Sequence, residues 1–304
     1  MLKKINLSVG IAAYNAEKNI KQLLEAILRQ KELDFKLVKI IVHSDASKDK
    51  TVQVAQKFKN KKITIINNKQ RKGFSGSLKK ILKLTSQEIV VLFNDDIQIK
   101  DEYLVNKLIQ PFIKENKVGL VCGRPTPLDS SNFIENAITS SRNAYDRMRL
   151  KINNGNSKYS CDGKILVLSK LFIQKLKFPK KNKALGNVDT YIYFSCITKG
   201  FKFRFVKNAI VKYKNPSNFS DYVKWFTRNN SYQLILKKRF GEIVDMEYYK
   251  PSLLFWWCMI LEFFKNPLGC LFIFLTSIYI KYTSKKYADN FNPTWDVVTS
   301  TKNL

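Results

Sequence analysis

The chain has 304 residues, 45% hydrophobic and 26% charged, which excludes a disordered polymer and leaves room for one large domain or two smaller ones. Lys and Arg number 54 against 24 Asp and Glu, a formal charge of +30 that favours anionic partners; because the excess is spread along the chain with no Arg-rich block, a nucleic-acid arm is not expected. A single His, His43, leaves no imidazole cluster for zinc and argues against a Ser-His-Asp triad, while five Cys without a Cys-x-x-Cys pair read as free thiols of a reducing compartment.

No apolar h-region follows Met1-Leu-Lys-Lys, so the N-terminal body is expected to stay in the cytoplasm. Strand and helix patterns then alternate up to residue 122. Leu7 to Ala13 reads as a strand, and Ile20, Leu23, Leu24, Ile27 and Leu28 recur at helical spacing. Leu37 to Val42 is a second strand ending at a packed, neutral His43, and Ser47 is placed to cap the helix carrying Val52, Ala55 and Phe58. Lys62 to Ile66 is a third strand, and Gly73-Phe-Ser-Gly-Ser77 opens a helix with Leu78, Ile81 and Leu82 inside. Ile89 to Phe93 is an unbroken apolar run, the pattern of a strand buried on both faces, and it ends in Asn94-Asp95-Asp96. Tyr103 to Phe112 is its helix and Val118 to Cys122 a fifth strand. Such alternation implies parallel strands joined by right-handed crossovers.

In an open parallel sheet, ligands bind beyond the carboxyl ends of the strands. The loops there are Tyr14-Asn15, Ser44 to Asp49, Lys69 to Gly73, and the acidic cluster at Asn94 to Asp96. Crowded carboxylates become favourable when a divalent cation lies between them and an anionic ligand. Taken singly, these residues also suit helix caps and turns. Their convergence on one face describes a site for a nucleotide diphosphate.

Residues 123 to 215 leave the regular pattern. Phe133 to Leu150 reads as a long helix, Ser160-Cys-Asp-Gly163 precedes the apolar run Ile165 to Leu168, and Gly186-Asn-Val-Asp189 starts a helix that Gly200 stops. Phe201 to Phe205 and Ala209 to Tyr213 read as two closing strands, and Phe219, Tyr222, Val223 and Phe226 as a helix made basic by Lys224 and Arg228. Leu253 to Leu261 and Leu268 to Ile280 are apolar, separated by Glu262, Lys265, Asn266 and Pro267 and followed by Lys281, Lys285 and Lys286. Neither run reaches the roughly 18 apolar residues of a spanning helix. They read as an interfacial or re-entrant hairpin anchored by Trp256 and Trp257; two tilted short spans, a pair packed on a partner and a plain soluble hairpin are the alternatives.

In order and spacing, Val9-Gly-Ile-Ala-Ala-Tyr-Asn15, Ile40 to Thr51, Lys72 to Ser77, Phe93-Asn-Asp-Asp96, Asp162-Gly163, Asp189 before Gly200, and Tyr222 to Arg228 resemble the inverting nucleotide-sugar glycosyltransferases of family 2. The resemblance implies the GT-A fold, an α/β domain with a Rossmann-like, mostly parallel central sheet and helices on both faces. Residues 1–122 would form its nucleotide-sugar-binding half, 123–245 its acceptor-binding half, and 246–304 an apolar, membrane-associating helical hairpin and tail. It further implies that Asp45 recognises the nucleobase and that Ala13, Asn15, Lys72, Gly73, Asn94, Asp95 and Arg228 contact the donor. Asp96 would be the ligand of a divalent cation, Mg²⁺ or Mn²⁺, with Asn94 standing where the family's Asp-x-Asp motif has its first Asp. Asp162, Gly163 and Trp225 would face the acceptor, and Asp189 would be the catalytic base.

The implied activity moves a sugar from a UDP- or GDP-linked donor to a hydroxyl of a lipid-linked or glycan acceptor, with inversion, at the cytoplasmic face of the cell membrane. That places it in the assembly of a cell-envelope polysaccharide, glycolipid or glycoprotein. The rival from another class is a non-catalytic basic module that binds anionic lipid or nucleic acid on the same scaffold. A nucleotidyltransferase is disfavoured, because Ala12-Ala-Tyr-Asn15 is not a Gly-rich, basic loop after the first strand.

Overall fold

A computed structural model describes residues 4–179, 187–244, 251–289, 297–302 and 304. Seven strands form one sheet: β1 (Ile5–Ala13), β2 (Phe35–Ser44), β3 (Ile63–Asn67), β4 (Ile89–Asn94), β5 (Val118–Pro127), β6 (Ile165–Ser169) and β7 (Lys202–Tyr213). Their order is β3-β2-β1-β4-β6-β5-β7. The β1–β2, β1–β4, β2–β3 and β5–β7 pairs are parallel, while β6 runs antiparallel to both β4 and β5. The fifth predicted strand is therefore not β4's neighbour, since β6 lies between them.

The unbroken apolar run of β4 is explained by its two neighbours. Val91 and Phe93 pack into one core with α1 (Ile20–Leu28) and α4 (Leu104–Lys114), whereas Val90 and Leu92 pack into another with α3 (Gly73–Lys83), Phe172 of α6 (Lys170–Lys175) and α7 (Val188–Thr198). Helices on both faces leave no solvated side to encode. Nearly every side chain of α7 is buried, so its sequence shows no apolar stripe.

A third core joins α5 (Phe133–Lys151) and α8 (Phe219–Phe240) to the hairpin formed by α9 (Pro251–Phe263) and α10 (Pro267–Asp289), through Ile138, Met148, Tyr222, Cys258, Met259 and Ile273. Glu262, in the last turn of α9, is 2% exposed and ion-paired with Arg147 of α5. One face of the hairpin is thus packed on the body. The other stays open, with Leu253 83%, Phe264 81% and Leu268 70% exposed. Among the described residues no helix is long and apolar enough to cross a membrane.

Three local expectations change. The two closing strands are one, β7, which follows β5 through a bulge opposite Cys122 and Arg124. Ser47 does not cap the helix after β2: α2 (Thr51–Gln56) begins later, and Asp49 Oδ1 accepts the Thr51 N–H at 3.0 Å. Gly186, predicted to open α7, lies outside the described residues. All five cysteines are buried and free, and His43, 1% exposed, has its pKa lowered by burial.

Gly10, in the centre of β1, lets α3 approach the sheet: a Cβ there would lie 2.4 Å from Ile81 Cγ2 and 2.9 Å from Leu92 Cδ2. Gly10→Val is therefore expected to cost about 1–3 kcal/mol of stability by overpacking. Thermal denaturation of the two proteins checks this; an unchanged melting temperature contradicts the packing.

Candidate active site

The carboxyl ends of β1, β2 and β4 share one rim, and because β6 is antiparallel its amino end joins them there. Asn94 N donates to Lys164 O at 3.3 Å, which ties the acidic cluster to the turn before β6. A cavity of about 660 Å³ opens at this rim. From the first half it is lined by Ala13, Asp45, Asn94, Asp95 and Asp96, and from the second by Asp162, Gly163, Asp189, Trp225 and Arg228. Ten of the thirteen predicted site residues thus meet around one hollow.

Asn15, Lys72 and Gly73 stand behind it. Asn15 adopts a left-handed φ of 49°, and its Oδ1 accepts Lys48 N at 2.9 Å, joining the first two loops. Lys72 and Gly73 donate their backbone N–H groups to Asp45 Oδ1 and Oδ2 at 2.9 and 2.7 Å. Asn68 Nδ2 is also 3.0 Å from Asp45 Oδ1. Asp45, 3% exposed, therefore fixes the turn that opens α3. The basic side chain this turn contributes to the cavity is Arg71, its guanidinium 4.1 Å from the Tyr14 ring centroid.

The acidic cluster divides its labour. Asp95 is satisfied by protein, accepting Tyr14 N at 2.8 Å on Oδ2 and Lys302 Nζ at 2.5 Å on Oδ1. Asn94 Oδ1 and Asp96 Oδ1 are buried without a hydrogen-bond partner among the described residues. Unsatisfied oxygens at the rim of a ligand cavity suit part of the coordination of a hard divalent cation. Among the described residues no group of three or more His, Cys, Asp or Glu is placed to hold a metal. The residues thus fit a cation that shares its coordination with ligand phosphates, as Mg²⁺ commonly does, rather than one caged by protein.

Asp189, at the first turn of α7, faces the turn before β6. Gly163 N donates to its Oδ2 at 2.8 Å and Thr190 N to its Oδ1 at 2.5 Å. A Cβ at residue 163 would sit 3.3 Å from Asp189 Oδ2, so glycine permits this approach. Burial, and then the charge of Asp162, push the Asp189 carboxyl up to about 6. Asp162 moves the other way: burial opposes its charge, but Lys164, 3.6 Å distant, holds it below the usual carboxylate range. Lys164 is itself raised, because Asp162 and Asp96 outweigh its own burial.

The remaining wall is aromatic and apolar. The Arg142 guanidinium lies 4.5 Å from the Trp225 ring centroid, and Phe255, Trp256, Ile273 and Ile280 of the hairpin complete the lining. Tyr14, Arg71, Arg142, Lys164 and Lys302 were not singled out from sequence. Tyr14 and Arg71 sit in loops that were, and Lys164 directly follows Asp162-Gly163; Arg142 and Lys302 carry no local signal.

The glycosyl transferase family 2 model matches residues 8–176, more than half of the chain. The chain is 22% identical over 276 residues to an uncharacterised glycosyltransferase of Methanocaldococcus jannaschii, covering 90% of each. It is 23% identical over 194 residues to the Escherichia coli UDP-Glc:α-D-GlcNAc-diphosphoundecaprenol β-1,3-glucosyltransferase WfgD, covering 63% of this chain and 69% of that one. Its fold resembles that of the mannosyltransferase PcManGT from Pyrobaculum calidifontis, solved with GDP-Man and Mn²⁺, with a TM-score of 0.64, 15% identity, and 100% and 88% of the two chains covered. Glucosyl-3-phosphoglycerate synthase from Mycobacterium tuberculosis, solved with Mn²⁺, UDP and phosphoglyceric acid, gives 0.56 at 18% identity over 78% and 79%. The matched residues include Ala13, Asp45, Asn94 to Asp96, Asp162 and Gly163 of this rim, and the protein belongs to glycosyltransferase family 2, on a GT-A scaffold.

Proposed function

We propose that the protein transfers a sugar from a nucleoside-diphosphate donor to an acceptor hydroxyl with inversion, using Asp189 as the general base. The observation that carries this is Asp189 itself, a carboxylate with a pKa near neutral held in the same hollow as the unsatisfied oxygens of Asn94 and Asp96. An acceptor oxygen attacks the anomeric carbon opposite the departing diphosphate, its proton passes to Asp189, and the bond to the diphosphate oxygen breaks. Gly163 N–H and Thr190 N–H aim the base. Asn94 and Asp96 would hold Mg²⁺ or Mn²⁺ together with the diphosphate, the cation supplying positive charge to the leaving group. Among the described residues Asp45 Oδ1 accepts two bonds and Oδ2 one, which leaves Oδ2 a lone pair for a nucleobase N–H.

The acceptor is lipid-linked on this reading. The E. coli relative is named for a diphosphoundecaprenol acceptor, and the acceptor wall here is built partly from the apolar hairpin whose far face is open. That face, with the basic surface, suits docking in the headgroup region of an anionic bilayer, at the cytoplasmic face of the membrane.

Nucleoside diphosphate release from a panel of UDP- and GDP-sugars should occur with one donor and stop on chelation; silence with all donors overturns the proposal. Asp189→Asn should lower transfer by about 10² to 10⁴-fold with donor binding intact. Because a base must be ionised, kcat/KM should rise about tenfold per pH unit up to about 6 and then level off. A flat profile through that range removes Asp189 from the role. The intact chain should float with anionic liposomes, and Trp257→Ser with Leu268→Ser should reduce flotation; recovery of all the protein in the unbound fraction contradicts membrane docking.

A further inference from the structure

The segment Val297–Lys302, far from the rim in sequence, lies across it in space. It is anchored at both ends. Ser300 N donates to Asp221 Oδ2 at 2.9 Å, and Ser217 N donates to Ser300 Oγ at 3.2 Å, which fixes it to the start of α8. At the other end Asn19, 1% exposed, donates through Nδ2 to Lys302 O at 2.9 Å and accepts Leu304 N on Oδ1 at 3.3 Å, which fixes it to the start of α1. Val297, Val298, Thr301 and Lys302 all line the cavity.

Between these anchors the Lys302 side chain, 19% exposed, reaches Asp95 Oδ1 at 2.5 Å. Burial works against its charge, but Asp95 and Asp96 together raise its pKa above the ordinary lysine value. The ammonium is therefore a resident cation of the acidic cluster. Asn94 contributes no charge there, so Asp95 and Asp96 carry two negative charges and Lys302 returns one. With a divalent ion added, the cluster becomes net positive, which complements a diphosphate and not a neutral ligand.

We propose that Lys302 is a donor-binding residue: its ammonium, delivered by the anchored segment, takes part in holding the diphosphate beside the cation at Asn94 and Asp96. The inference rests on the donor reading above. It also has a consequence independent of any nucleotide, since an ammonium beside Asp95 and Asp96 opposes a divalent ion in the same field.

Two measurements on the intact chain test it, Mn²⁺ binding without nucleotide, followed by electron paramagnetic resonance, and UDP or GDP binding with Mn²⁺ present, followed by calorimetry. Lys302→Gln, which keeps the length and loses the charge, should tighten Mn²⁺ alone about threefold or more and weaken the nucleotide about tenfold or more, whereas Lys302→Arg should stay near wild type in both. Unchanged Mn²⁺ affinity in Lys302→Gln overturns the placement of the ammonium. Unchanged or tighter nucleotide binding overturns its role toward the diphosphate and marks the segment as a plug instead. A wild-type chain that binds Mn²⁺ and neither nucleotide removes the donor reading, and the diphosphate half of this proposal with it. Melting curves guard against misfolding; should Lys302→Gln melt early, Asn19→Ala, which frees the segment and leaves the ammonium intact, must weaken the nucleotide in the same direction.

Discussion

The antiparallel pairing of β6 with β4, with Ile165 opposite Phe93, is the constraint on which the site depends. Parallel strands deliver their carboxyl ends to one rim, and the loops that follow β1, β2 and β4 all belong to the first half of the chain. A strand entering in the opposite sense delivers the residues that precede it. That is how Asp162, Gly163 and Lys164 arrive beside Asn94, and how Gly163 can then capture Asp189. Five residues of strand span about 16 Å, so a parallel β6 would have placed this turn at the far edge of the sheet. The reversed strand thus brings Asp162, Gly163 and Lys164 to a rim that β7 reaches with Tyr213 and Lys214 at its carboxyl end.

Within that cavity the charges are sorted by their partners. Asp162 and Asp189 are neighbouring carboxylates in one environment, yet one titrates low and the other near 6. Burial pushes both up, but Lys164 pairs with Asp162 and outweighs it, whereas Asp189 faces the charge of Asp162, which its Gly163 and Thr190 N–H donors only partly offset. Pushing two acids apart in this way creates one permanent anion and one proton acceptor. A buried charge is tolerated only when it is paired, and the lysines of this rim are paired in this sense: Lys164 with Asp162, Lys302 with Asp95.

Much of this arrangement is legible in the sequence, because local patterns encode it. The doubly buried β4, the helix periodicities and the loops at the strand ends are all consequences of neighbours a few residues apart. What the sequence does not display is direction and distance. Ile165 to Leu168 reads as an apolar run in either sense, and only the sheet makes it antiparallel. A bulge carries β7 through residues 206–208, where the pattern suggests a break. Asp45 is found by position, but its hold on the Lys72–Gly73 turn is not, since a carboxylate reads the same whether it faces a ligand or a backbone N–H. Lys302 is one lysine among many; 207 residues separate it from Asp95, and no spacing rule spans that distance.

The hairpin of α9 and α10 shows how packing separates two readings of an apolar run. Had it been a plain core element, its apolar side chains would be consumed by neighbours, yet Leu253, Phe264, Leu268 and Tyr282 are each at least 70% exposed. Had it been a spanning pair, Glu262 in the last turn of α9 would need a partner inside the bilayer; its partner is Arg147 of the globular body. What remains is a wedge with one face committed to α5 and α8 and one face uncommitted. Because Trp256, Ile273 and Ile280 also line the catalytic hollow, the wedge connects the uncommitted face to the acceptor side of the site. On the lipid-linked reading proposed above, an acceptor's apolar tail would stay in the lipid while its polar end enters the cavity.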